Sequence, residues 1–253
     1  MRKNSFIQGA LILTVAGIIV KFIGAFSRIY LSRLLGGEGI GLYQMAYPIY
    51  LLCLSVSSAG LPVAISIMVA ERNAVNDYNG GQKVFRISMA ALVMTGLFFS
   101  VLLFFGSQWL VDTGIVRDPR AYWSLLALSP AVFCATLLAT LRGYFQGLQL
   151  MTPTAVSQIL EQVVRVVTMI AFAVILLPYG LEFGAAGATL GAAPGAFMGI
   201  VVLIGFYYMT RSWRKELAAE QDPSIKPQSA LFIIKRLLIL AIPVSLANIM
   251  LPI

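Results

Sequence analysis

Histidine is absent from the 253 residues, and cysteine occurs only at Cys53 and Cys134, each inside an apolar run. With no imidazole and two distant thiols, neither a zinc site nor a disulfide framework has its ligands, and no metal or other cofactor is expected. The commonest general base is missing too, and no GxSxG-type nucleophile motif occurs, so no catalytic set is legible and the chain does not read as an enzyme. Charge is also scarce: 11% of residues are charged, against roughly a quarter in soluble domains. Acids are fewest, with 10 Asp and Glu against 18 Lys and Arg. The resulting net charge of +8 could point to nucleic acid, but the bases are scattered between apolar segments and form no basic face, which argues against nucleic-acid binding.

What the chain has instead is apolar length. Hydrophobic residues make up 59% and the mean hydropathy is +0.88, so lipid is the expected surroundings. An apolar run over 9–35 is too long for a signal-peptide core, is interrupted by Lys21 and Arg28, and shows no small-residue cleavage site; it reads as a retained first span. After Gly36-Gly37-Glu38-Gly39, a second segment over 40–70 contains Pro48, Gly60 and Pro62 and is expected to be bent or broken. The polar stretch 71–86, with Asn79-Gly80-Gly81 as a turn signal, is expected as a loop outside the bilayer. Further spans are expected over 87–111, 121–146, 153–178 and 183–210. The last carries glycine at 187, 191, 195 and 199, a spacing that lets helices approach closely.

The polar stretch 211–230 reads as an amphipathic or disordered connector, and a seventh apolar segment runs from Leu231 to Ile253. The fold class is therefore an all-α integral membrane protein: a six-helix transmembrane lobe (1–210), a cytoplasmic connector (211–230) and the start of a seventh helix (231–253). Placing the N-terminus in the cytoplasm puts most Lys and Arg inside, including Arg2, Lys3, Arg72, Lys83, Arg142 and Lys226, and leaves Arg33, Arg117 and Arg120 outside.

Charge inside the spans marks the candidate site. Thr152 and Pro153 look like an N-cap and first helical position. On the helix that follows, Gln158, Glu161, Gln162 and Arg165 fall at i, i+3, i+4 and i+7, a polar stripe on one face. Lys21 and Arg28, seven residues apart, likewise share a face and should point to an interior and not to lipid. Each has a bland alternative. Lys21 and Arg28 could snorkel to an interface, and Glu161 and Arg165 could neutralise each other and lock a helix packing. Arg142 could serve only topology and the C-terminal dipole of its helix, with Gly143 and Gly147 permitting the turn beyond it. Tyr122, Trp123, Tyr207, Tyr208 and Trp213 read as interfacial anchors.

Three stretches carry a resemblance: LSRLLGGEGIGLYQMAYPIY, RGYFQG and PTAVSQILEQVVRV. They resemble the polysaccharide-transporter branch of the multidrug/oligosaccharidyl-lipid/polysaccharide exporter superfamily, most of all the stage V sporulation protein B group and its lipid II flippase relatives. The resemblance implies a bacterial cytoplasmic membrane protein with two six-helix lobes rocking about a central cavity, of which this sequence supplies one lobe and part of the next helix. It also implies an anionic lipid-pyrophosphate sugar as substrate. Lys21 and Arg28 occupy the stretch where the flippases carry cavity bases, with slightly different spacing. The expected substrate-binding set is Lys21, Arg28, Arg142, Gln158, Glu161, Gln162 and Arg165. A cation-coupled multidrug exporter and a non-transporting scaffold are the alternatives; one intramembrane acid, Glu161, against the bases Lys21, Arg28 and Arg165 favours an anionic cargo.

Overall fold

The computed structural model of the protein describes residues 6–58, 60–219 and 228–250. Among them every regular element is helical: α1 (Phe6–Ser58), α2 (Leu61–Ala74), α3 (Tyr78–Asp112), α4 (Tyr122–Gly147), α5 (Met151–Leu176), α6 (Leu181–Leu190), α7 (Ala192–Met209), α8 (Arg211–Ala219) and α9 (Ala230–Met250). The charges of Arg2 and Lys3, the connector residues 220–227 and the final three residues of the seventh segment lie outside the described residues.

At 53 residues α1 is far too long for one crossing, and Gly36 divides it with φ 66° and ψ −176°, a conformation open almost exclusively to glycine. The chain reverses there. Arg28 and Leu31, before the glycine, line one cleft with Tyr43 and Tyr47, after it. Gly60, left-handed at φ 65°, then breaks the second limb, and Pro62 sits in the first turn of α2, where its missing N–H leaves no bond unmade. Among the described residues five helical stretches are long and apolar enough to cross a membrane, and the first of them, 7–74, contains the Gly36 reversal. Large side chains such as Phe22, Phe26 and Phe105 stay more than 70% exposed on the outer faces, as lipid contact requires.

The structure revises several local expectations. The stretch 71–86 is not a loop. α2 continues to Ala74 and α3 starts at Tyr78, because Asp77 caps α3 by accepting from the Gly80 N–H at 2.8 Å. That cap outweighs the Asn-Gly-Gly turn signal and places those residues in the first turns of a helix. α5 begins at Met151, with Leu150 at the cap position and no side-chain cap, so Thr152 and Pro153 lie inside its first turn. Gly143 and Gly147 serve packing and not a turn: a β-carbon at either would come 2.5 Å from the Pro62 carbonyl oxygen or 2.8 Å from that of Ser66. The reversal after α4 falls instead at Gln149, with φ 59°.

The glycine series of the sixth span does bring backbones together. A β-carbon at Gly187 would lie 2.5 Å from the Phe172 carbonyl oxygen, and one at Gly195 would lie 2.9 Å from that of Glu161. Gly191 interrupts the span, which is why it forms two helices, α6 and α7. The start of the connector is the helix α8, docked by Arg214. Its guanidinium lies 3.6 Å over the Tyr207 ring and donates to the Tyr207 carbonyl at 2.6 Å. Tyr207 is thus packed under Arg214, whereas Tyr208 is 66% exposed. α9 buries Ile233, Leu237 and Ala241 in the same core as Ile65 and Met68 of α2, and Arg236 pairs with Glu71 at 2.9 Å.

Candidate functional site: a basic cavity between the first, second and fifth spans

Lys21 and Arg28 stand two helical turns apart on the first limb of α1, and Gly24 between them lets that limb approach α5, since a β-carbon there would lie 3.3 Å from Gln162 Nε2. On the returning limb Tyr43, Tyr47 and Tyr50 follow at i, i+4 and i+7, with successive ring centroids 5.9 Å apart. α5 contributes Gln162 and Arg165. Together these residues line a cavity of about 550 Å³ whose apolar floor includes Leu128, Met169 and Ala192. Lys21, Arg28 and Arg165 bring three positive charges to it, and among the described residues no Asp or Glu lines it. Among the described residues neither Lys21 nor Arg28 is paired with a carboxylate.

Behind the cavity wall a largely enclosed acid is fully engaged. Glu161 accepts from Arg142 at 2.7 Å through one carboxylate oxygen and from Arg165 through the other. Arg142 also donates to the Ser157 hydroxyl at 3.1 Å, and Ser157 in turn donates to the Thr154 carbonyl at 2.7 Å. Two guanidiniums on one carboxylate leave a net charge of about +1 and keep Arg165 extended toward the cavity. Its Nε is buried without a hydrogen-bond partner.

The structure therefore divides the expected set. Lys21, Arg28, Gln162 and Arg165 line the cavity; Glu161 and Arg142 form the bridge behind it; Gln158 lies outside the lining. Arg142 does not serve its own helix end, since the last turn of α4 carries no base and the side chain reaches across to α5. Sequence reasoning missed the three tyrosines and Ser157. The i, i+4, i+7 spacing of the tyrosines is visible in the sequence, but aromatic residues in a span are usually anchors or core. A smaller cleft of about 250 Å³ adjoins the cavity, lined by Arg28, Ser32, Tyr43, Gln44, Tyr47 and Pro48, with Leu31 and Ile40.

A helical bundle whose first helix reverses at a glycine, with a basic cavity among its helices, has the fold of a membrane transporter half. A MOP superfamily transporter from Pyrococcus furiosus superposes with a TM-score of 0.65 at 16% identity, over 98% of this chain and 54% of that one. A multidrug resistance MATE family transporter in an outward-facing conformation does so with a TM-score of 0.67 at 17% identity, over 96% of this chain and 52% of that one. Residues 6–253 match the polysaccharide biosynthesis protein family, and the chain belongs to that family. It is similar to stage V sporulation protein B of Bacillus subtilis (strain 168), 39% identical over 80% of this chain and 39% of the relative. It is also similar to the lipid II flippase MurJ of the same organism, 30% identical over 79% of this chain and 39% of that protein. The chain thus spans about two fifths of the length of these curated relatives.

Proposed function

We propose that the protein at its natural length is a flippase or exporter that carries a lipid-linked oligosaccharide or cell-wall precursor across the bacterial cytoplasmic membrane by alternating access. In this reading residues 1–210 are the first lobe, with a cytoplasmic N-terminus, 211–230 the connector, and 231–253 the opening helix of a second lobe that completes the cavity. The cargo is an anionic lipid-pyrophosphate sugar, and the work is transport and not catalysis.

The observation that carries the reading is the cavity lining, in which Lys21, Arg28 and Arg165 converge with no carboxylate among them. A pyrophosphate offers oxygens to which ammonium and guanidinium groups donate charge-assisted bonds, and the low-dielectric surroundings strengthen them. An organic cation would meet repulsion in the same place. The one acid nearby, Glu161, is already held by two arginines. The test is reconstitution of the natural-length protein in liposomes, with flipping of a polyprenyl-pyrophosphoryl sugar followed beside uptake of a hydrophobic cation. Flipping of the lipid is expected; cation transport without flipping would move the protein to the drug-exporter class.

A further inference from the structure

We infer that the smaller cleft beside the basic cavity is a carbohydrate subsite, holding the sugar nearest the pyrophosphate. The inference rests on the pyrophosphate reading of the cavity and adds to it the part of the cargo that would set selectivity. The two spaces share Arg28, Leu31, Tyr43 and Tyr47, so a group bound beside Arg28 in the larger one places its next substituent at the mouth of the smaller.

The cleft has the chemistry a sugar ring needs. A pyranose presents an apolar C–H face and a rim of hydroxyls that both donate and accept. Tyr43 and Tyr47 offer half-buried aromatic faces, 5.9 Å apart and within 17° of parallel, one helical turn apart on the same limb. Around them the Gln44 amide supplies donors and an acceptor, and the Ser32 hydroxyl spends its proton on the Ile29 carbonyl at 3.3 Å while keeping its lone pairs. Arg28 is the single charged side chain of the lining and lies on the shared wall, which suits a neutral group attached to an anionic one.

A second observation points to a ligand at the same wall. Tyr50, the third ring of the stripe, lines the larger cavity, and among the described residues its hydroxyl, like those of Tyr43 and Tyr47, makes no hydrogen bond within the chain. A hydroxylated, phosphorylated cargo offers these three hydroxyls the hydrogen-bond partners the chain does not.

The experiment measures binding of two probes to the purified natural-length protein: a polyprenyl pyrophosphate, and the same lipid bearing a disaccharide. Wild type is expected to hold the sugar-bearing lipid about tenfold more tightly, the gain of one or two net hydrogen bonds with ring stacking. Gln44→Leu, at a position that lines the smaller cleft and not the larger, should lower that preference severalfold while keeping the affinity for the bare lipid, which also reports that the variant is folded. Tyr47→Phe should keep most of the preference, because the ring remains. Equal affinity of wild type for both lipids would overturn the subsite and leave the pyrophosphate reading standing, as would a Gln44→Leu variant that retains the full preference. Absence of binding by either lipid would overturn both.

Discussion

Arg142 on α4 places its Nη2 2.7 Å from Oε2 of Glu161 on α5, and the other oxygen of that carboxylate takes Arg165. The Glu161 side chain is 13% exposed, Arg142 18% and Arg165 27%, so the acid is the most enclosed member and the only one that pairs with both others. Glu161→Gln would leave two guanidiniums facing each other beside an apolar helix interface, which should cost about 3–5 kcal/mol. A second change should repair this unequally. With Arg142→Gln added, the remaining Arg165 still reaches the cavity; with Arg165→Gln added, Arg142 remains enclosed with only Ser157 as partner. Abundance and thermal unfolding should therefore recover more in the Glu161→Gln/Arg142→Gln pair, and equal recovery would contradict this division of roles.

The two ends of the bundle are tied by different ion pairs. Arg120 joins Glu38 at 2.7 Å at one end, and Arg236 joins Glu71 at 2.9 Å at the other. With the N-terminus inside, Thr113 belongs to the external end and Asn79 to the cytoplasmic one. After replacement of Cys53 and Cys134, an impermeant thiol reagent added outside is expected to label Thr113→Cys and spare Asn79→Cys, both exposed positions. The reverse pattern would invert the topology.

Most of the spans are legible in the sequence because apolar length and breaker residues are local signals. The stretch 211–230 reads as an amphipathic or disordered connector, but the docking of its first turns through Arg214 is not legible, since the Tyr207 carbonyl that Arg214 caps becomes available only when α7 ends. The same holds at the site. Lys21, Arg28 and the Gln162–Arg165 stripe stand out as charge or polarity in the wrong solvent, and the i, i+4 partnership of Glu161 with Arg165 follows from spacing. The partnership of Glu161 with Arg142 does not, because it crosses between helices, and RGYFQG looks like a helix end when read alone. Gly143 and Gly147 mislead for the same reason: their neighbours, Pro62 and Ser66, are some eighty residues away in the sequence.

Gly187 and Gly205 separate packing from propensity. A β-carbon at Gly187 meets the Phe172 carbonyl oxygen at 2.5 Å, a backbone atom that cannot swing aside, while none meets anything within 4 Å at Gly205. Gly187→Ala should lower stability by about 1–3 kcal/mol, the ordinary range of overpacking. Gly205→Ala should be neutral or stabilising by up to about 1 kcal/mol, because alanine loses less backbone entropy in a helix. Unfolding temperatures in one detergent check the contrast.

Gly36 isolates backbone strain from space. Nothing lies within 4 Å of a β-carbon there, but φ 66° with ψ −176° is barred to other residues. Gly36→Ala is expected to lose about 1–3 kcal/mol, whereas Gly37→Ala, equally open and inside the helix, should lose nothing. Similar unfolding temperatures for the two variants would show that the reversal does not depend on the glycine conformation.

Function turns on Lys21 and Arg28. Both line the cavity and neither holds a carboxylate among the described residues, so neutralising them strands no partner, in contrast to Glu161. Lys21→Gln and Arg28→Gln should therefore accumulate near wild-type levels, and the losses should fall on the cargo. Removing one charge-assisted hydrogen bond from a dry cavity costs about 1.5–3 kcal/mol, which is roughly a ten- to hundredfold weaker grip on the headgroup. Lys21→Arg keeps the charge but exchanges a compact ammonium for a planar fork, so partial flipping is expected. The measurement is flipping of a polyprenyl-pyrophosphoryl sugar by the natural-length protein in liposomes, normalised to the amount inserted. Equal rates for wild type, Lys21→Gln and Arg28→Gln would remove these two charges from the transport mechanism, whereas losses confined to flipping at unchanged abundance are the outcome a cationic headgroup cavity requires.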